Sequence, residues 1–325
     1  MYPAGSSTAS ATYTPSVATP AFIAASGAGE VAAIHFLNGS VVGSGAGSLT
    51  TDVWDVGKSG APSRTLTTSA VNNTLFVMAH EGTLYLPDRS SAGVPQYDLF
   101  PAGASTPSKI IPETIVPASQ YANFSPNYAA VGPDGTLYIT EYTFQQPDPL
   151  AGVYIYPLNG AERFIPATGN AQGVGPQGID VDASGNIYVV NNNSAITSST
   201  TCQGDTLQNV TVYSPTGTLL RTVSGGDSAF PITVAADGTA FFSTFPFDPA
   251  CAATTNAYGI YSIAPGATTS TQIATSGSTE IVLYDGTHKT NPFLVGGHRA
   301  AASHAGVGSV SRGSRRLLRK QGSRF

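Results

Sequence analysis

Charge is scarce in this 325-residue chain: Lys, Arg, Asp and Glu make up 10% of it, against roughly a quarter in an average soluble domain. Half of its basic charge is gathered at one end. Residues 299–325 hold seven of the fourteen cations (Arg299, Arg312, Arg315, Arg316, Arg319, Lys320 and Arg324) and no acid, which leaves residues 1–298 with a formal charge of −12. A domain of that sign repels phosphate backbones, so nucleic-acid binding is excluded for it. The basic end, GSVSRGSRRLLRKQGSRF, belongs to a solvated, disordered tail over 296–325. No apolar run approaches the roughly twenty residues of a membrane span. A sustained 3.6-residue apolar period, the mark of a helix, is also missing. No glycine-rich loop precedes a helix, which removes nucleotide binding. The five histidines (His35, His80, His288, His298, His304) are scattered, and no Ser or Cys has a nucleophile's motif. Residues 1–20 lack a basic segment followed by an apolar core, so no signal peptide is visible, and they read as a flexible lead.

What the chain has in quantity is Gly and Pro, together 59 residues, with abundant Ser and Thr. That mixture suits many short strands joined by many turns. Residues 176–223 show the unit most clearly. Ile179-Asp180-Val181 runs into an Ala183-Ser184-Gly185-Asn186 turn and then Ile187-Tyr188-Val189-Val190. After a polar loop come Val210-Thr211-Val212-Tyr213, a Ser214-Pro215-Thr216-Gly217 turn and Leu219 to Val223. Four β-branched or aromatic runs with turn chemistry between them predict one antiparallel meander. The unit recurs: the turn glycines Gly82, Gly135, Gly185 and Gly238 lie 53, 50 and 53 residues apart. A fixed period near fifty implies a closed array of such units. The expected fold is all-β, a single β-propeller of four-stranded blades over residues 21–295. Clear blades fall at 71–112, 124–166, 175–225 and 229–275. A degenerate blade over 21–70 and an inner hairpin beginning at Thr279-Glu280-Ile281 bring the count to six, with a strand from residues 21–36 completing the last. Trp54-Asp55 imitates a WD40 signature, but later blades carry Tyr97-Asp98, Tyr156-Pro157, Tyr213-Ser214 and Tyr261-Ser262 there, so the aromatic is expected to pack between blades. Asp180-Val181-Asp182-Ala183-Ser184-Gly185 imitates the start of a calcium loop, yet its twelfth position is Asn191 rather than Glu, and strand and turn are the better reading.

The stretch PQGIDVDASGNIYVVNNNS followed by VTVYSPTGTLLRTV resembles the NHL-repeat propellers, and more loosely the gluconolactonase-like propellers. The likeness covers residues 70 to 290. It implies the fold rather than an activity, because propellers host many unrelated functions.

In such a fold the connections after the second strands collect on one face. The loops 87–95, 140–151, 191–209 and 244–258 bring Asp88, Glu141, Tyr142, Phe144, Asn191, Asn192, Asn193, Phe245, Phe247 and Asp248 there. Aromatic faces beside amides and carboxylates suit a small polar ligand, a glycan or a protein segment. The first expectation is therefore a monomeric binding or interaction module without a cofactor. The gluconolactonase resemblance implies an alternative, a metal-dependent lactone or ester hydrolase. Its divalent cation, calcium or zinc, would be held by Glu141, Asn191 and Asp88, the residue types that family uses. Cys202 lies eleven residues before Tyr213 and Cys251 ten before Tyr261. Both therefore fall in the same insertion of consecutive blades, and a disulfide between them is expected, with two free thiols as the alternative. A disulfide belongs to an oxidising compartment, and with few lysines and Ser/Thr-rich loops it points to an extracellular or periplasmic location.

Overall fold

Runs such as Leu137–Glu141 and Ile187–Val190 are β-branched and aromatic and are flanked by turns, so the nearest partner for their backbone groups is the run across the turn. A computed structural model of the protein shows that pairing throughout. It describes residues 11–16, 20–25, 29–36, 48–69, 78–80, 82–121, 124, 126–141, 150–167, 174–193, 209–224, 229–235, 237–244, 259–275 and 293–294. The first antiparallel sheet is β1 (Pro20–Ala25), β2 (Glu30–Phe36), β3 (Ser48–Asp55) and β4 (Arg64–Ser69). The second is β5 (Met78–His80), β6 (Thr83–Arg89), β7 (Pro95–Phe100) and β8 (Lys109–Pro112). The third is β9 (Pro126–Val131), β10 (Leu137–Glu141), β11 (Gly152–Tyr156) and β12 (Arg163–Pro166). The fourth is β13 (Val174–Val181), β14 (Ile187–Asn193), β15 (Asn209–Tyr213) and β16 (Leu219–Ser224). The fifth is β17 (Ala229–Val234), β18 (Ala240–Thr244), β19 (Gly259–Ile263) and β20 (Thr271–Thr275). A short strand β21 (Phe293–Leu294) pairs with β1 on the side away from β2.

The hairpin turns close as their chemistry requires. Gly135 adopts φ 81° and donates to Gly132 O at 2.9 Å, a conformation that disfavours any side chain. In the equivalent turn, Asp182 accepts from Ser184 N (2.8 Å), Asn186 N (2.9 Å) and Asn186 Nδ2 (2.8 Å). Its carboxylate is therefore committed to the turn, as the strand-and-turn reading expects.

Successive sheets pack face to face. The first strands neighbour one another in chain order, β1 beside β5, β5 beside β9, β9 beside β13 and β13 beside β17. Each gap is filled by its own apolar cluster: Leu66 with Leu84 and Leu86, Tyr97 with Ile139 and Tyr154, Val153 with Ile179 and Val189, and Val212 with Ile232 and Phe242. Middle strands meet a neighbour on both faces, so β7, β10 and β11 are buried at every residue. The outer strands β4 and β8 alternate or are mostly exposed. Sheets ordered around their first strands, with a core in each gap, make a β-propeller.

Cations latch the blades. Arg64, Lys109 and Arg163 each open a fourth strand, and each donates to a carbonyl in the turn between third and fourth strands of the next blade. Arg64 Nη1 reaches Pro101 O (3.1 Å) and Ala104 O, Lys109 Nζ reaches Leu158 O, and Arg163 Nη2 reaches Pro215 O (2.9 Å). Such charge-assisted bonds are stronger than neutral ones. Arg64 is further clasped by Glu30, with Nη2 at 2.9 Å from both carboxylate oxygens. The fourth blade reaches the equivalent turn of the fifth with backbone from the far end of its fourth strand: Ser224 bridges Thr269 in parallel. On the first blade, that place is taken by residues 11–16. Tyr13 bridges Gly60 in parallel and packs on Trp54 with ring centroids 5.6 Å apart, while Ser16 N (2.6 Å) and Oγ (2.8 Å) donate to the fully buried Asp52.

Three expectations change. Residues 11–16, assigned to the flexible lead, are docked on the first blade. Residues 21–36 do not complete a last blade, because Pro20–Ala25 and Glu30–Phe36 are the first hairpin of the first. Trp54 packs against Tyr13 of this N-terminal stretch. Five sheets are present among the described residues, and the hairpin expected from Thr279 lies outside them.

Candidate ligand site at the face of the second-strand connections

Because each blade is an up-and-down meander, the turns at Gly82, Gly135, Gly185 and Gly238 lie at one end, and the connections after β6, β10, β14 and β18 lie at the other. Asp88, Glu141 and Asn191 each stand six residues after their turn glycine. They therefore occupy the same place on the second strands of three consecutive blades. Their parity matches Leu84 and Leu86, Leu137 and Ile139, and Ile187 and Val189, which pack toward the preceding blade.

Their surroundings differ. Asp88 Oδ1 accepts Ser69 N from the first blade (2.6 Å) and Arg89 N (2.7 Å). It also shares a hydrogen bond with Asp98, a buried residue of β7 to which Gln96 Nε2 donates at 2.8 Å. Burial first, and then the Asp88 charge and hydrogen bond, push the Asp98 carboxyl up to about 6. Glu141 is fully buried at the end of β10. Asn191 is half-buried, and its Nδ2 donates to Thr211 Oγ1 at 2.9 Å.

The innermost strands are irregular at this same end. In β9 the register shifts opposite Thr140 and Glu141, in β13 between Pro176 and Ile179, and in β17 between Ala229 and Ile232. Pro126, Pro176 and Pro231 sit in these segments, where a residue without an N–H costs no ladder bond. Thr140 makes good the disruption: its Oγ1 accepts Tyr128 N (3.1 Å) and donates to Gln177 O of the next blade (2.7 Å). Bulges re-aim side chains and free backbone groups, and they cluster near sites.

Asp88 and Asn191 lie in strands rather than loops, since β6 runs to Arg89 and β14 to Asn193. The first connection is only residues 90–94, closed by Ser90 N to Val94 O at 2.9 Å. Asn192 and Asn193 pair with Gly175 and Val174 in the β13–β14 ladder. Tyr142, Phe144, Phe245, Phe247, Asp248, Cys202 and Cys251 lie outside the described residues. Among the described residues no three His, Cys, Asp or Glu side chains gather as a metal site, and no helix is long and apolar enough to cross a membrane. Asp98 and Glu113 have no motif, but a polar residue inside an apolar strand, as in Gln96-Tyr97-Asp98, is a signal that could have found the first.

No protein-family model matches the chain, and no curated protein does. Solved structures with a similar path include virginiamycin B lyase from Staphylococcus aureus (10% identity, 85% of this chain and 94% of that one, TM-score 0.46). Regucalcin from Agrobacterium tumefaciens, described as a calcium-binding protein, is another (13% identity, 78% and 95%, TM-score 0.37). A third is the extracellular domain of a hybrid two component system from B. thetaiotaomicron (14% identity, 81% of this chain but 30% of that one, TM-score 0.40). At these identities and scores none carries an argument about chemistry. The chain's own blades and their radial order make it a β-propeller.

Proposed function

We propose that the protein is a ligand-binding propeller of NHL-like type, exported and monomeric, whose site is the channel mouth at the face of the second-strand connections. The observation that carries this reading is the recurrence of a bulge at that end of three consecutive innermost strands, β9, β13 and β17. A purely structural ring has no need to interrupt its inner ladder three times at one end. Glu141, fully buried beside these bulges, sets a carboxyl behind the mouth that favours ligands bearing hydroxyl or amine donors. The ligand class is small and polar, a sugar or a short peptide segment. The test is a thermal-shift panel of sugars, aldonic acids, lactones and short peptides on the wild type and Glu141→Gln. A hit weakened at least about tenfold by the variant supports the reading. Equal binding by both proteins sinks it.

A second reading, a metal-dependent lactone or ester hydrolase, is favoured by the equivalence of Asp88, Glu141 and Asn191 on three adjacent blades. These residues would supply hard oxygen donors suited to calcium, and a bound cation would polarise a carbonyl. Metal analysis decides it: one calcium or zinc per chain, lost in both Glu141→Ala and Asn191→Ala, replaces the first reading, and metal-free protein with a ligand hit retains it. The proposed Cys202–Cys251 bridge is checked by intact mass, which falls by two hydrogens in unreduced protein.

A further inference from the structure

Between the second and third blades, Tyr97, Ile111, Glu113, Phe124 and Tyr156 line a small cavity. About 10 Å³ is open to the centre of a water molecule. That is about the room one water needs, and far below the size of an organic ligand. The walls are not uniformly apolar. Tyr97 is 6% exposed, and its Oη is buried with no hydrogen-bond partner among the described residues. A dry buried hydroxyl forfeits the hydrogen bonds it makes in solvent, which native interiors rarely tolerate. Glu113, also 6% exposed, accepts Ile115 N (2.7 Å) and Val116 N (2.8 Å) on Oε1 and the Tyr156 hydroxyl on Oε2. A carboxylate oxygen can accept more than one such bond. Burial and the Glu113 charge hold the Tyr97 hydroxyl protonated, so it offers a donor facing a cavity with an acceptor in its wall.

We propose that one water molecule is a resident ligand of this cavity, accepting the Tyr97 hydroxyl proton and donating to the Glu113 carboxylate. Through Glu113 and Tyr156 it joins β7 of the second blade to β11 of the third. An empty cavity and a water-filled one respond oppositely to Tyr97→Phe. With the water present, the variant loses a satisfied hydrogen bond, and its unfolding midpoint falls by about 2–4 °C. With the cavity dry, the variant removes an orphaned hydroxyl, and the midpoint stays or rises, which overturns the proposal. Water-proton relaxation dispersion gives a second readout that does not depend on stability: the wild type should hold one more long-lived water than Tyr97→Phe, and equal numbers refute the assignment. Exchanging sodium for ammonium chloride at fixed ionic strength should leave the midpoint unchanged. A rise in ammonium would assign the cavity to a cation and overturn the water.

Discussion

Replacing Arg64 by Met tests the latch between the first two blades. Arg64 and Glu30 form a two-pronged ion pair at 2.9 Å, with side chains 7% and 9% exposed. Arg64 also holds the Pro101 and Ala104 carbonyls, and Glu30 accepts Gly103 N at 3.2 Å. Arg64→Met keeps the aliphatic stem but removes the ion-pair partner of the Glu30 carboxylate in a closed site. Breaking one partner of a buried pair costs about 3–5 kcal/mol, whereas replacing both by apolar groups of similar volume is often near neutral. In a domain of this size each kcal/mol moves the midpoint by about 2–4 °C, so Arg64→Met should unfold about 6–20 °C below the wild type in a circular-dichroism melt. Glu30→Met/Arg64→Met should recover more than half of that loss. A single variant within about 1 kcal/mol of the wild type, or a double variant no better than the single, would show that the pair is solvated and the latch account wrong.

The Asp98 carboxyl, raised from 3.8 to about 6, makes stability depend on pH with a definite sign. A folded value above the unfolded one stabilises the protonated form, so this contribution is complete below about pH 4 and is lost as pH rises through about 6. Asp98→Asn should flatten that part of the urea-midpoint profile, and an unchanged slope would refute the raised Asp98 carboxyl. Gly152→Ala places a Cβ into the Ile165 carbonyl oxygen and the Phe164 ring. Overpacking of this kind costs about 1–3 kcal/mol, and an unshifted midpoint would mean that β11 and β12 approach less closely than described.

The middle blades are legible in the sequence because each turn needs its glycine. Gly135 and Gly185 stand at φ 81° and 82° and cannot drift from their place between two apolar runs. The first blade is harder to read. Its inner hairpin turns through Gly29, which stands 53 residues before Gly82 and so continues the period of the turn glycines. The pair there is Ala28-Gly29, whereas every other such glycine follows Asp, Glu or Ser, so spacing rather than turn chemistry marks Pro20–Ala25 as a strand. The docking of residues 11–16 depends on Asp52, a buried acid whose partners Ser16 and Thr65 lie 36 residues before it in one case and 13 after it in the other. Nothing local marks that. The same holds between blades: Asp180 Oδ2 accepts Val234 N at 2.7 Å across 54 residues. Residue type and period placed Asp88, Glu141 and Asn191 on one face, but not the Asp98 that shares a hydrogen bond with Asp88, because the pairing of β6 with β7 brings the two together.

Hydrogen–deuterium exchange of the protein with and without the ligand returned by the panel bears most directly on the site. Protection is predicted in peptides covering residues 86–96, 137–152 and 187–210, at the bulged end of the channel. Protection confined to the turns at 132–136 and 182–186, at the opposite end, would contradict it.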